Sequence, residues 1–129
     1  MTTIEQIEYW VKTAEHDFKT ASGLLEIKHY DWCLFVCHLV LEKILKAHYV
    51  KTTGNSPPRI HDLVRLAEFS KLQLSNEQNE ILERANYFNI SGRYPDEKLE
   101  FYKTCTEEYT LKNFKEIEFL YLWLKLNLK

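Results

Sequence analysis

The sequence is short of residues that turn a chain. Three glycines and three prolines occur in 129 residues, so its elements must be few and long. That argues against a sandwich or barrel of many short strands. The three cysteines, Cys33, Cys37 and Cys105, are an odd number and lie in apolar stretches. They exclude a secreted disulfide framework and read as reduced thiols of a cytoplasmic protein. A large charge of one sign is also missing. The formal net charge is −2, whereas a general duplex binder draws affinity from neutralising phosphates and is basic. Any nucleic-acid contact must therefore come from a local patch. A run of about 18 apolar residues, enough to span a membrane, is absent. The opening Met1–Gln6 lacks the basic-then-apolar layout of a signal peptide. There is no glycine-rich phosphate loop, paired-cysteine zinc spacing or serine-nucleophile motif, and no cofactor or metal is implied.

What is present suits helices. Hydrophobic residues at 45% and charged residues at 28% are a globular balance that speaks against disorder, and the length fits one domain over residues 1–129. Ile4, Ile7, Val11, Ala14, Phe18, Ala21 and Leu25 recur at alternating steps of three and four, one face of a helix. A Thr3–Gln6 capping box can start it, and it should end near His29. A second helix is predicted from about Asp31 to Thr52. Cys33, Cys37, Val40, Ile44 and Ala47 form its stripe, widened by Leu34, Leu41 and Leu45. Phe35, Val36 and Leu39 fall outside that stripe, so the helix is either central or half covered by a second subunit. Gly54-Asn55-Ser56-Pro57-Pro58 is the clearest loop.

A short helix is expected over about Ile60–Lys71, with Leu63, Leu66 and Ala67 inward. Ser75-Asn76-Glu77-Gln78 is a capping box for a fourth helix that turns Ile81, Leu82, Ala85 and Phe88 inward and stops near Ser91-Gly92. Arg93-Tyr94-Pro95-Asp96 then makes a turn, because proline disfavours helical geometry at Tyr94. A last helix begins between Asp96 and Thr104 and runs to the end, carrying Cys105, Tyr109, Ile117, Leu120 and Leu124. The fold class is all-α, an up-and-down bundle of about five helices.

Four strings occur in order along the chain: Ala14-Glu15-His16-Asp17-Phe18, Leu41-Glu42-Lys43-Ile44-Leu45-Lys46-Ala47, His61-Asp62-Leu63 and Ser91-Gly92-Arg93-Tyr94-Pro95-Asp96. Together they resemble the HEPN family, over nearly the whole chain. The resemblance implies a bundle like the nucleotidyltransferase substrate-binding subunit, four long helices with a short extra one, commonly a homodimer. It implies a cleft facing nucleotides or RNA, and a minimal nucleotidyltransferase as partner in a two-gene module, some of which are toxin–antitoxin pairs. Active nucleases of the family carry an arginine followed, after four to six residues, by a histidine. Such metal-free cleavage wants a group titrating near neutrality and a fixed cation for phosphate. Here the matching arginine is Arg93, but Lys98, Leu99 and Glu100 fill the positions open to the histidine, and no histidine follows His61. The expectation therefore leans away from an enzyme.

The candidate phosphate-binding residues are Lys43, Lys46, His61 and Arg93, with His38, Glu42, Tyr94 and Asp96 in support. His38, Glu42 and Lys46 recur at i, i+4 as a polar stripe on an apolar helix, either a pocket wall or a solvated edge with ion pairs. His61 is a pocket residue or a loop anchor. Arg93 either grips an anion with its planar fork or ties down the turn through Asp96 or Glu97. His29, Cys33 and Cys37 share a face but lack a fourth ligand, and both cysteines fit the core. Tyr87, Tyr94, Tyr102, Tyr109 and Tyr121 suit base stacking or core and interface packing. Three functions stay open: a dimeric nucleotide- or RNA-binding module, a metal-independent endoribonuclease toxin using His61 with Arg93, and a purely structural interaction domain.

Overall fold

The computed structural model describes residues 1–128 and all of their side chains except those of Pro95 and Asp96. Six helices follow one another: α1 (Thr3–Glu26), α2 (Tyr30–Thr53), α3 (Leu63–Phe69), α4 (Asn76–Arg93), α5 (Pro95–Thr104) and α6 (Glu107–Leu126). The all-α bundle is as the patterning predicts. Among the described residues no helix is long and apolar enough to cross a membrane.

The local chemistry sets most boundaries. α1 starts one residue earlier than expected, because the capping box is Thr2 with Glu5 rather than Thr3 with Gln6. It stops at Glu26, short of His29, where Lys28 takes a left-handed φ of 65°. The Ser75–Gln78 capping box forms as predicted. α3 is shorter than its pattern because the Asp62 carboxylate accepts from the backbone N–H groups of Val64 and Arg65 and fixes the start. The last segment, predicted as one helix, is two. Cys105 leaves helical geometry, and the Thr106 hydroxyl accepts from the Tyr109 N–H to cap a new helix. Thr106 is a good N-cap, but the inward Cys105 on one side and Tyr109 on the other mask the break.

α2 is the axis of the molecule and packs against all five other helices. Cys33, Leu34, Cys37, Val40, Leu41, Ile44, Leu45 and Ala47 have no exposed surface. On α1, Ala14 and Ala21 are fully buried while Ile4 stays exposed, so only the later turns of that stripe meet the core. Phe18 of α1 stacks between Phe114 and Tyr121 of α6, with ring centroids 5.5 and 5.2 Å away. The buried His48 donates from Nε2 to the Leu124 carbonyl at 2.7 Å and pins α2 to the end of α6. Gly92 lets α4 approach α2 closely, since a Cβ there would lie 2.9 Å from Phe35 Cδ1 and 3.2 Å from its Cβ. That approach sets where Arg93 leaves the helix.

Candidate functional site

The polar stripe of α2 is buried. His38 has no exposed surface, and Glu42 and Lys46 are 6% and 7% exposed. Burying such groups is costly unless each is paired, and Glu42 is the pairing centre. Its Oε2 accepts from Lys46 Nζ at 2.9 Å, one turn along the helix. Its Oε1 accepts from His61 Nδ1 at 2.9 Å across from the loop before α3. Burial alone pushes the Glu42 carboxyl up, but the hydrogen bonds from Lys46 and His61 outweigh it and hold the group below the usual carboxylate range.

His38 completes the cluster from beneath. Its Nε2 lies 2.9 Å from the His61 carbonyl, and a carbonyl can only accept, so Nε2 carries the proton. Burial lowers the His38 pKa to about 4, only partly opposed by Glu42. At neutral pH the ring is therefore uncharged, and Nδ1 is an acceptor 3.9 Å from Glu42 Oε1 with no hydrogen-bond partner. This contact is not an ion pair. His38 instead anchors the main chain of His61 while Glu42 fixes the ring. With Nδ1 donating to Glu42, the half-exposed ring turns its Nε2 away from the carboxylate.

Arg93 approaches the same region from the end of α4. Its guanidinium donates to Asn89 Oδ1 at 3.1 Å and stacks 5.5 Å from the centre of the Phe35 ring. Its described partner is a neutral amide, not the Glu97 that the sequence offered; Glu97 Oε2 instead accepts from Ser91 Oγ at 3.4 Å. Asn89 lines a cleft of about 190 Å³ with His61, Asp62, Asn86 and Ile90. Arg93 is also close enough for its charge to act on buried His38.

The structure thus brings together His38, Glu42, Lys46 and His61, with Arg93 on the flank through Asn89. Lys43 stands apart: its Nζ lies 2.6 Å from Asp17 of α1. Tyr94 is exposed where α4 gives way to α5. The Asp96 side chain lies outside the described residues. Cys33 and Cys37 are fully buried. A hydrogen bond with Cys33 together with burial pushes the Cys37 thiol well up, and burial pushes Cys105 up to about 12, so neither is an activated nucleophile.

Sequence reasoning overlooked a groove of about 600 Å³ beside Lys46. Tyr9 and Trp10 of α1 and Pro57, Pro58 and Arg59 of the loop line it. Lys46 Nζ sits 5.2 Å from the Trp10 ring centre. Adjacent aromatics near the start of the first helix gave a readable signal, but nothing in the spacing joined them to Arg59, about fifty residues away.

A family model described as the HEPN domain matches residues 7–127. The chain belongs to the HEPN family. Two solved structures carry this HEPN fold. TT1696 from Thermus thermophilus superposes with a TM-score of 0.78 at 17% identity, covering 93% of this chain and 96% of that one. ST0689, an archaeal HEPN homologue, gives 0.66 at 22% identity, covering 95% and 98%. No curated protein matches. At these identities the likeness is one of fold. Within the HEPN bundle, the cluster around Glu42 joins two of the strings that carried the resemblance, one on α2 and the other in the loop before α3. Arg93, from a third, stands beside them.

Proposed function

We propose that this HEPN chain is a nucleotide- or RNA-binding module that grips phosphate with Arg93 beside His61, whose ring is oriented by the Glu42 carboxylate that also pairs with Lys46. The observation that carries the reading is the shared carboxylate. Glu42 holds His61 and Lys46 on one spot, and Asn89 links Arg93 to the cleft that His61 lines. Among the described residues the Arg93 guanidinium bonds a neutral amide, and its planar fork matches phosphate oxygens. A local cationic patch is what a chain of net charge −2 needs to bind a polyanion. Residues 1–129 act as one domain on this reading, a cytoplasmic homodimer. The partner is a minimal nucleotidyltransferase in a two-gene, toxin–antitoxin setting; family membership supports that pairing.

The test is fluorescence anisotropy of a short labelled RNA, with ATP and GTP as competitors. Saturable binding is expected, weakened about tenfold by Arg93→Ala, the scale of one charge-assisted hydrogen bond. A flat titration, or binding that ignores Arg93→Ala and His61→Ala alike, sinks the reading and leaves an interaction domain without a ligand.

One observation favours a second reading, a metal-independent endoribonuclease. A histidine whose Nδ1–H is held by a buried carboxylate, with its other nitrogen turned away, has the arrangement of a general base with its orienting partner. Incubation with mixed RNA in chelator decides it. Cleavage abolished by His61→Ala establishes the enzyme; intact RNA in every sample leaves the binding module.

A further inference from the structure

The groove beside Lys46 has a construction that phosphate binding alone does not require. Its inner wall is aromatic. Tyr9 and Trp10 meet at 77° with centroids 5.0 Å apart, forming a corner, and Tyr9 is 46% exposed. The stiff Pro57-Pro58 pair also lines the groove, and the preceding Ser56 is tied to α1 by a hydrogen bond from its Oγ to Gln6 Oε1 at 3.1 Å. Arg59 is exposed and lines the same groove. Lys46 closes one side, but its charge is balanced by Glu42. Among the described side chains that line the groove, Arg59 is the cation without a carboxylate partner, two residues from His61.

From this arrangement we infer that the groove is a base-stacking subsite for a nucleoside monophosphate unit, with the ring in the Tyr9–Trp10 corner and the phosphate on Arg59. The volume of about 600 Å³ lies in the range of small-molecule sites. Aromatic faces accept any base, because every base has a π-face, while an arginine fork takes the phosphate. Glu42 connects the subsite to the phosphate surface above, since Lys46 and His61 bond opposite oxygens of that carboxylate. A nucleotide seated here hands its neighbour's phosphate toward His61. The inference rests on the phosphate-recognition reading and extends it to the base.

Calorimetric titration of the full chain with AMP, UMP, ribose 5-phosphate and inorganic phosphate tests it, beside the RNA anisotropy assay. AMP and UMP should bind with similar affinity, and ribose 5-phosphate at least tenfold more weakly. Tyr9→Ala and Arg59→Ala should each weaken AMP about tenfold, and Tyr9→Phe should restore it. Both substituted side chains are at the surface, and unchanged thermal melts confirm folding. Ribose 5-phosphate binding as tightly as AMP, or AMP binding indifferent to Tyr9→Ala and Arg59→Ala, overturns the subsite. RNA bound normally with AMP silent sinks the groove alone. Failure of RNA to bind the unmodified chain sinks the parent reading and this one together.

Discussion

Glu42 is nearly removed from water and answers to two donors, so single changes around it should be costly in a specific order. Glu42→Gln leaves Lys46 as a buried charge without a counter-ion, and removing one partner of a buried pair costs about 3–5 kcal/mol. Lys43→Met, losing a less deeply buried pair with Asp17, should cost less than Glu42→Gln. Urea denaturation of both variants checks the contrast. His38 adds a pH signature. Its folded pKa of about 4 lies below the ordinary 6.5, so the unfolded chain binds the extra proton first. The stability it contributes is complete above 6.5 and drains away as pH falls toward 4, by about 2 kcal/mol at pH 5. His48, also lowered by burial, acts in the same direction. Glu42, held below 4.5, contributes stability above that value and loses it only at lower pH. Unfolding free energies measured from pH 7 to pH 5 should fall, and His38→Gln, which keeps an N–H donor, should flatten the slope. Equal stability at pH 7 and pH 5 in the unmodified chain contradicts the buried neutral ring.

At the scale of elements, close packing of α4 on α2 aims the arginine. Gly92→Ala drives a Cβ into Phe35, whose own Cβ is fixed to α2. Overpacking of this kind costs about 1–3 kcal/mol. It should also weaken RNA binding while Arg93 itself is untouched; a variant with lowered melting temperature and normal affinity would separate the packing from the site. The elements also show what was legible in sequence. The stripe of α2, the inward sides of α3 and α4 and the Ser75–Gln78 box follow from periodicity and capping, because each is local. The α5–α6 break was hidden because Cys105 and Tyr109 satisfy one continuous pattern across it. The site was half legible for the same reason. Glu42 and Lys46 meet at i, i+4 on one helix, whereas the His61 contact depends on how the proline loop returns to α2. Lys43, one residue from Glu42, projects toward Asp17 of α1, a partner that spacing within α2 does not reveal. Arg59 lies about fifty residues along the chain from Tyr9 and Trp10, and only the fold sets it in the same groove.

At the scale of the whole molecule, the described surface leaves an apolar margin where α2 and α5 meet. Trp32, Leu99 and Tyr102 are exposed there, with Lys98 Nζ 3.9 Å from the Trp32 ring centre. As a candidate seam for the proposed homodimer this margin is open to test: sedimentation at micromolar concentration should give two copies, and Leu99→Glu with Tyr102→Glu should give one. A monomer from the unmodified chain would remove the dimer from the account. The central claim is that discrete cations in a weakly acidic molecule grip phosphate, and salt dependence tests it most directly. For single-stranded RNA each neutralised phosphate contributes about −0.7 to the slope of log affinity against log salt. The unmodified chain should show a clear negative slope, and Arg93→Ala should make it shallower by about that amount; affinity independent of salt, or a slope identical in the two proteins, would contradict the claim.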